Sequence, residues 1–213
     1  LREQKKRPIT VGAYYGDVPY DAAEILLGRK ENWSRTRDKL GWICPYAVCP
    51  ECGKTSMIWW EVDLKKEKED NAHGHFGRYA RIWCAHCQTP VGSEHLLLTR
   101  RQMATHPPDI LFTTTEMLNR RLSNPAEHHL FGIGAENPPQ LLLMDEIHLN
   151  EGIHGAQVAH LLRRWRYLRG EHASKGLCMV GLSATLSQAE TFFSRLTGIQ
   201  LTQTSYITPT EQD

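Results

Sequence analysis

Charge of one sign is what this chain lacks first. Its 25 Lys+Arg stand against 24 Asp+Glu, a formal charge of +1 over 213 residues. A strongly basic chain is thereby excluded, and any nucleic-acid surface must be local. Long apolar runs are missing too. The longest aliphatic stretches, Leu96-Leu97-Leu98 and Leu141-Leu142-Leu143-Met144, fall far short of the roughly 20 apolar residues of a membrane helix, and no leader-like run opens the chain. Neither a membrane partner nor export by that route is expected. Internal repeats and low-complexity segments are absent, and the 40% hydrophobic content is ordinary for a globular chain of one domain with an appendage, or two small domains. The chain starts at Leu1 and stops at Thr210-Glu211-Gln212-Asp213 with no closing element, and so reads as an excerpt of a longer one.

Cysteine is sparse but concentrated. All except Cys178 lie between Cys44 and Cys87, and an odd cluster containing two Cys-x-x-Cys pairs is a poor disulfide framework but a good zinc-ligand set. The implied compartment is reducing and cytoplasmic. Cys49-Pro50-Glu51-Cys52-Gly53 has the form of a zinc knuckle, with a glycine to supply the unusual backbone angle of the turn. Cys84-Ala85-His86-Cys87 repeats it about thirty residues later. With strands expected at Trp59-Trp60-Glu61-Val62-Asp63-Leu64 and Arg81-Ile82-Trp83, this is a zinc ribbon in which Cys49, Cys52, Cys84 and Cys87 hold one structural Zn2+. Cys44 competes as a ligand if the first knuckle is wider. His73 and His75, flanking a glycine in a polar loop, read as solvated, and Cys178, in an apolar run, as a buried small hydrophobe. Trp59, Trp60 and Trp83 either cover the metal site or stack on bases.

Residues 9–14 read as a strand stopped by the turn Gly16-Asp17-Val18-Pro19, with a helix from about Tyr20 toward Lys30. The charged run Lys65-Lys66-Glu67-Lys68-Glu69-Asp70 is expected at a solvated hairpin tip. Then strands at 109–113, 141–145 and 176–182 alternate with helices at 100–105, 115–122, 154–169 and 186–197. Continuous apolar strands, each followed by a helix, indicate a parallel sheet covered on both faces. The expected organisation is α/β: residues 1–41 and 94–213 form the sheet domain, and 42–93 the inserted zinc ribbon.

Leu141 to Met144 leads into Asp145-Glu146-Ile147-His148, placing two acids and a histidine at the carboxyl end of a strand, where open α/β sheets bind ligands. A second apolar strand ends in Gly181-Leu182-Ser183-Ala184-Thr185, and a third junction carries Thr113-Thr114-Thr115. These three segments, in this order, resemble the first RecA-like domain of superfamily 2 helicases of the DExH type. Tyr14-Tyr15-Gly16-Asp17, together with Gly152, Gly155 and Leu161-Leu162-Arg163-Arg164, is similar to the Lhr-like and YprA-like group that includes the DISARM phage-defence helicase. The resemblance covers roughly residues 8–20 and 94–200 and leaves the ribbon out.

That resemblance implies a RecA-like parallel sheet with helices on both faces and an ATP-dependent helicase using ATP and Mg2+. Asp145 would hold the Mg2+ of Mg-ATP through water, and Glu146 would activate the hydrolytic water. His148 would sense the γ-phosphate side and signal to Ser183 and Thr185. Gly16, Asp17, Thr113 and Thr114 would contact nucleic-acid backbone, with DNA favoured by analogy. A second RecA-like domain, supplying an arginine finger, is the other implied partner.

One family element is missing: no Gly-x-x-x-x-Gly-Lys-Ser/Thr loop occurs here, so this segment alone is not expected to hydrolyse ATP. Gly53-Lys54-Thr55 imitates its end but belongs to a knuckle, and Val48 stands where the first glycine should be. Without the loop, a non-catalytic zinc-ribbon adaptor binding nucleic acid or protein is the competing class. Arg163, Arg164, Arg166 and Arg169 form either a solvated helix face or a phosphate-contacting stripe. His148, His154 and His160 recur every six residues, about 240° off one helical face, which argues against a metal-dependent hydrolase.

Overall fold

A computed structural model describes residues 7–53, 56–184 and 186–207. The chain divides into two compact units, Leu1–Met117 and Leu118–Asp213.

In the first unit the chain runs through β1 (Val11–Tyr14), α1 (Ala22–Leu26), β2 (Ser34–Arg35), β3 (Gly41–Val48), β4 (Ser56–Trp60), α2 (Glu61–Ala72), β5 (Ile82–Cys84), β6 (Pro90–Val91), β7 (Leu96–Leu97), α3 (Arg100–Thr105) and β8 (Ile110–Thr113). α4 (Thr115–Arg121) follows directly on β8. Two sheets result: a parallel one in the order β7-β1-β8 and an antiparallel one in the order β2-β3-β4-β5-β6. Asp109, just before β8, accepts from the backbone N–H of Thr10 at 2.9 Å and from the Arg7 guanidinium at 2.7 and 2.5 Å. Its carboxyl is held well below the usual range, chiefly by Arg7.

α1 is shorter than expected. Asp21 caps it, its carboxylate accepting from the N–H groups of Ala23 and Glu24, but Gly28 at φ +66° ends the helical path before Lys30. The charged run is the larger departure. Instead of a hairpin tip it is the body of α2, and β4 stops at Trp60 rather than continuing through Leu64. Glu and Lys are good helix formers, acids occupy the first turn, and Glu61 pairs with Lys65 at 2.8 Å four residues on. Leu64, Glu67 and Asn71 are its buried residues, at helical spacing. Glu67 turns inward to accept from the N–H groups of Gly77 at 2.6 Å and Tyr79 at 2.8 Å. Burial pushes its pKa up against the pull of those two amides.

The first unit's core joins the two sheets' surroundings. Ala22, Ile25, Trp33, Trp42, Cys44, Met57, Trp59, Leu64, Ile82 and Leu98 form one buried cluster with Cys49 and Cys84. Residues outside the cysteine-bearing stretch, on α1 and after β7, therefore share its interior.

The second unit contains β9 (Leu141–Met144), α5 (Gly152–Lys175), β10 (Cys178–Gly181) and α6 (Ala189–Thr197), with short 3-10 turns at Pro125–Phe131, Ile147–Leu149 and Leu201–Gln203. β10 and β9 pair in parallel, Cys178 opposite Leu141 and Gly181 opposite Met144. Gly181 faces inward: a Cβ there would lie 2.7 Å from Ile147 Cδ1 and 2.9 Å from Phe193 Cε2, so only glycine lets α6 and the turn after β9 approach. The opposite face is open. Leu141 and Leu143 are each 55% exposed, and Cys178 is exposed rather than buried. On β8 of the first unit, Ile110 and Phe112 are likewise exposed. Parallel, helix-flanked strands are present as expected, but among the described residues they form two sheets, β7-β1-β8 and β10-β9, rather than one, and these strands are not covered on both faces. Period-2 alternation sends every second apolar side chain to a face that carries no helix there.

α5 is interrupted at Gly170, φ +82° and ψ 163°, a backbone region essentially reserved for glycine. The break falls at the end expected for this helix. α6 starts at Ala189, three residues later than Leu186, with Gln188 in the left-handed region at its cap. Among the described residues no helix is long and apolar enough to cross a membrane.

Glu67→Ala is expected to lower unfolding free energy by about 1–3 kcal/mol, because two buried N–H groups lose their acceptor. Urea titration of parent and variant measures it. A difference under a few tenths of a kcal/mol would mean water replaces the carboxylate.

Candidate functional site

The described residues carry two groupings able to do chemistry, one in each unit. In the first, β3 ends one residue before Cys49 and β5 ends on Cys84, while β4 pairs with both, Val48 opposite Ser56 and Met57 opposite Cys84. The sheet register thus sets the two knuckles side by side. Each turn closes on a residue in the left-handed region: Gly53 at φ +61°, its N–H bonded to Cys49 O, and Gln88 at φ +60°, its N–H bonded to Cys84 O. The second knuckle therefore does with glutamine what the first does with glycine.

The sulfurs of Cys49, Cys52, Cys84 and Cys87 all lie within 4.8 Å of one another. Cys49 and Cys87 approach to 3.5 Å, Cys52 and Cys84 to 3.6 Å. A tetrahedron with Zn–S bonds of about 2.3 Å has sulfurs about 3.8 Å apart, whereas a disulfide needs about 2.05 Å. The donor set fits a closed structural Zn2+ site. The surrounding amides fit thiolate as well: the N–H groups of His86 and Cys87 donate to Cys84 Sγ at 3.3 and 3.4 Å. The Cys87 amide is the chief cause that brings the Cys84 thiol down to about 6, with the His86 amide adding to it against desolvation. The Thr89 hydroxyl, 3.1 Å from Cys87 Sγ, leads in lowering Cys87.

Cys44 is not in the cluster. It is buried on β3, and burial pushes its thiol up to about 12. His86 contributes its backbone N–H alone among the bonds described, and His73 and His75 are exposed. Trp59 lies wholly in the core with its indole N–H donated to Tyr79 O at 3.1 Å, so it covers the cysteine-bearing sheet and presents no face for stacking.

Gly16 and Asp17 follow β1, and Thr113 and Thr114 close β8. Since β1 and β8 are parallel partners, Tyr14 opposite Thr113, these residues share one carboxyl edge. Gly16 and Asp17 are exposed, and Lys30 Nζ donates to Gly16 O at 2.8 Å. Both threonine hydroxyls have structural work: Thr113 donates to Tyr14 O at 2.9 Å, and Thr114 Oγ1 accepts from Met117 N–H at 3.1 Å at the start of α4.

In the second unit, Asp145, Glu146, His148 and Ser183 gather at the carboxyl edge of β9 and β10. Two backbone bonds stitch the exits of the strands together, Leu182 N–H to Met144 O at 2.8 Å and Ile147 N–H to Leu182 O at 3.0 Å. Glu146 sits at φ 48° and ψ 45°, left-handed for a non-glycine residue, a strain of about 1 kcal/mol that a site must justify. Its N–H is held by Asp145 Oδ1 at 2.9 Å. His148 Nδ1 then lies 3.2 Å from Glu146 Oε2 and 3.2 Å from Ser183 Oγ. Thr185 lies outside the described residues. Ser183 does not cap α6, whose cap is Gln188.

The arginines of α5 are neither a simply solvated face nor free for phosphate along their whole length. Arg163 donates to the carbonyls of Ala159, Arg195 and Leu196, Arg166 to that of Thr197, Arg164 to Asn119, and Arg169 to Pro139 O. Four basic residues without an acid in between was the sequence signal for these clamps, but apart from Ala159 their targets lie some thirty residues or more away.

No family model and no solved structure matches the chain. A stretch of 74 residues is 36% identical to Druantia protein DruE of Escherichia coli (strain UMEA 4076-1), covering 32% of this chain and 4% of that protein. The chain thus spans a small fraction of the length of this relative.

Purified protein is expected to carry about one zinc per chain, and Cys52→Ser with Cys87→Ser to lose it, by metal analysis. The sign with pH follows from depressed thiols: thiolate stability is complete above the unfolded cysteine value of about 8.5 and is lost as pH falls through about 6. Bound zinc lowers its thiols further, so zinc retention should fall on acidification below that value. Zinc removal should also shift tryptophan fluorescence, since Trp33 and Trp59 share the core with Cys49 and Cys84.

Proposed function

We propose that these residues belong to the first RecA-like domain of an ATP-dependent nucleic-acid helicase or translocase carrying a zinc-ribbon insertion. In this reading 1–41 and 94–213 make the RecA-like part and 42–93 the ribbon. The observation that carries it is the Glu146–His148–Ser183 chain at the carboxyl ends of two parallel strands, the edge where such sheets bind ligands. The likeness to Druantia protein DruE supports the same direction, and the helicase resemblance of the Asp145-Glu146-Ile147-His148 and Ser183-Ala184-Thr185 segments supplies the activity. DNA is the favoured substrate on that resemblance, and phage defence the favoured setting.

In the proposed reaction water attacks the γ-phosphorus of ATP, the bond to the ADP oxygen breaks, and Glu146 takes the proton from the attacking water. Asp145 would hold Mg2+, and the bound ion would offset the charge that builds on the phosphates. His148 is the coupling element. Its Nδ1 can donate to Glu146 when protonated or accept from the Ser183 hydroxyl when not, so the charge state at Glu146 selects which partner the ring holds. Ser183 and Thr185 relay that choice toward nucleic acid, with Gly16, Asp17, Thr113 and Thr114 as backbone contacts.

The second reading is a non-catalytic zinc-ribbon adaptor. It is favoured by one observation, that these residues contain the complete metal site but no phosphate-binding loop.

The test requires a polypeptide that joins these residues to a phosphate-binding loop and a second RecA-like domain. There, Glu146→Gln is expected to keep ATP binding and cut turnover by orders of magnitude. Parental ATPase rates in that variant would remove Glu146 from the reaction, and no ATP binding by the parent would select the adaptor. Ser183→Ala with Thr185→Ala should spare much of the nucleic-acid-stimulated ATPase while depressing strand separation. Equal proportional losses would deny a coupling role.

A further inference from the structure

Where α5 breaks at Gly170, the chain folds back and Ser174 Oγ donates to Arg166 O at 2.9 Å. An open groove of about 540 Å³ results, lined by Arg163, Arg166, Tyr167, Gly170, Glu171 and Ser174. It begins about 16 Å along the helix axis from Gly152, away from Asp145 and Ser183, and the proposed ATPase chemistry makes no use of it.

Its electrostatics are one-sided. Arg163 and Arg166 are held in place by the carbonyls at the end of α6, those of Arg195, Leu196 and Thr197. These carbonyls are the negative end of α6, so they orient the guanidiniums and offset part of their charge. Among the described residues neither arginine forms an ion pair, and the one carboxylate lining the groove, Glu171, is paired with Lys175 at 2.8 Å. No acid occurs from 152 to 170. Arg166 spends one nitrogen on Thr197 O, which leaves further N–H donors of its fork for a ligand. Beside them Tyr167 is 84% exposed, a large ring left in water next to two cations that no carboxylate pairs among the described residues.

We infer that this groove is a binding site for single-stranded nucleic acid, in which Arg166 takes a phosphodiester, Arg163 adds charge beside it, and Tyr167 stacks on the adjoining base. Fixed guanidiniums suit a phosphate because their donors are already aimed, and an exposed aromatic beside them suits a base, since stacking accepts any π-face. An acidic peptide would satisfy the arginines but leave the ring without a partner. The site requires a polynucleotide and no ATP turnover, so its failure and that of the ATPase reading are separable.

Anisotropy of a labelled oligothymidylate, titrated with the full protein and its variants without ATP, tests it. Tyr167→Ala, at a position already exposed, should weaken binding about fivefold or more. Arg166→Ala should weaken it too and reduce the slope of log affinity against log salt by about 0.7. Arg166→Lys, which keeps the charge and loses the fork, should fall between; it stands in if Arg166→Ala lowers the melting temperature. Parental affinity in both Tyr167→Ala and Arg166→Lys would overturn the site. Equal competition by polyglutamate at matched charge, or by inorganic phosphate alone at the oligonucleotide's phosphate concentration, would also overturn it, reducing the groove to a general anion trap.

Discussion

Four converging sulfurs are the constraint on which the first unit depends. Apart from β3 and β4 its antiparallel sheet is made of strands of two or three residues, a ladder that gains from further ties. Thiolate bonds to one ion would supply what backbone pairing cannot, tying the turn after β3 to the end of β5. The consequence reaches beyond the knuckles, because Cys49 and Cys84 are packed in the same cluster as Ile25 of α1, Trp33 and Leu98. Anything that opens the cysteine cluster therefore loosens the support of β1 and β7, and with it the edge that bears Gly16, Asp17, Thr113 and Thr114.

The second unit is held by a different device. Arginines of α5 reach carbonyls at the end of α6, so the helix whose Phe193 packs at Gly181 is fixed at its far end as well. That fixes β10 against β9, and the two backbone bonds beyond the strands then set the turn in which Glu146 takes its left-handed conformation. A histidine between a carboxylate and a hydroxyl is a consequence of this geometry: the bonds from Met144 to Leu182 and from Leu182 to Ile147 leave the side chains of His148 and Ser183 facing each other. Those carbonyls are the negative end of α6, so the clamp also offsets part of the arginines' charge.

Much of this was legible in the residues. The two Cys-x-x-Cys spacings, the alternation of strands and helices from β8 to α6, the ends of β1 and β8, and the acid pair after β9 depend on local chemistry: turn geometry, apolar runs and punctuation by glycine and proline. Even the end of α5 was readable, because Gly170 stops it through its own backbone freedom. What the residues left open was decided by distant partners. Lys65 to Asp70 reads as a solvated hairpin tip until Glu67 finds the amides of Gly77 and Tyr79. Cys178 reads as buried until the pleat assigns it to the open face beside Leu141. The arginines of α5 read as a surface stripe until the end of α6 is brought beneath them. Spacing along the chain determines which side chains can share a turn or a face, a short-range matter; which face is covered, and by what, depends on contacts between residues far apart in sequence, and those exist only once the tertiary structure has closed.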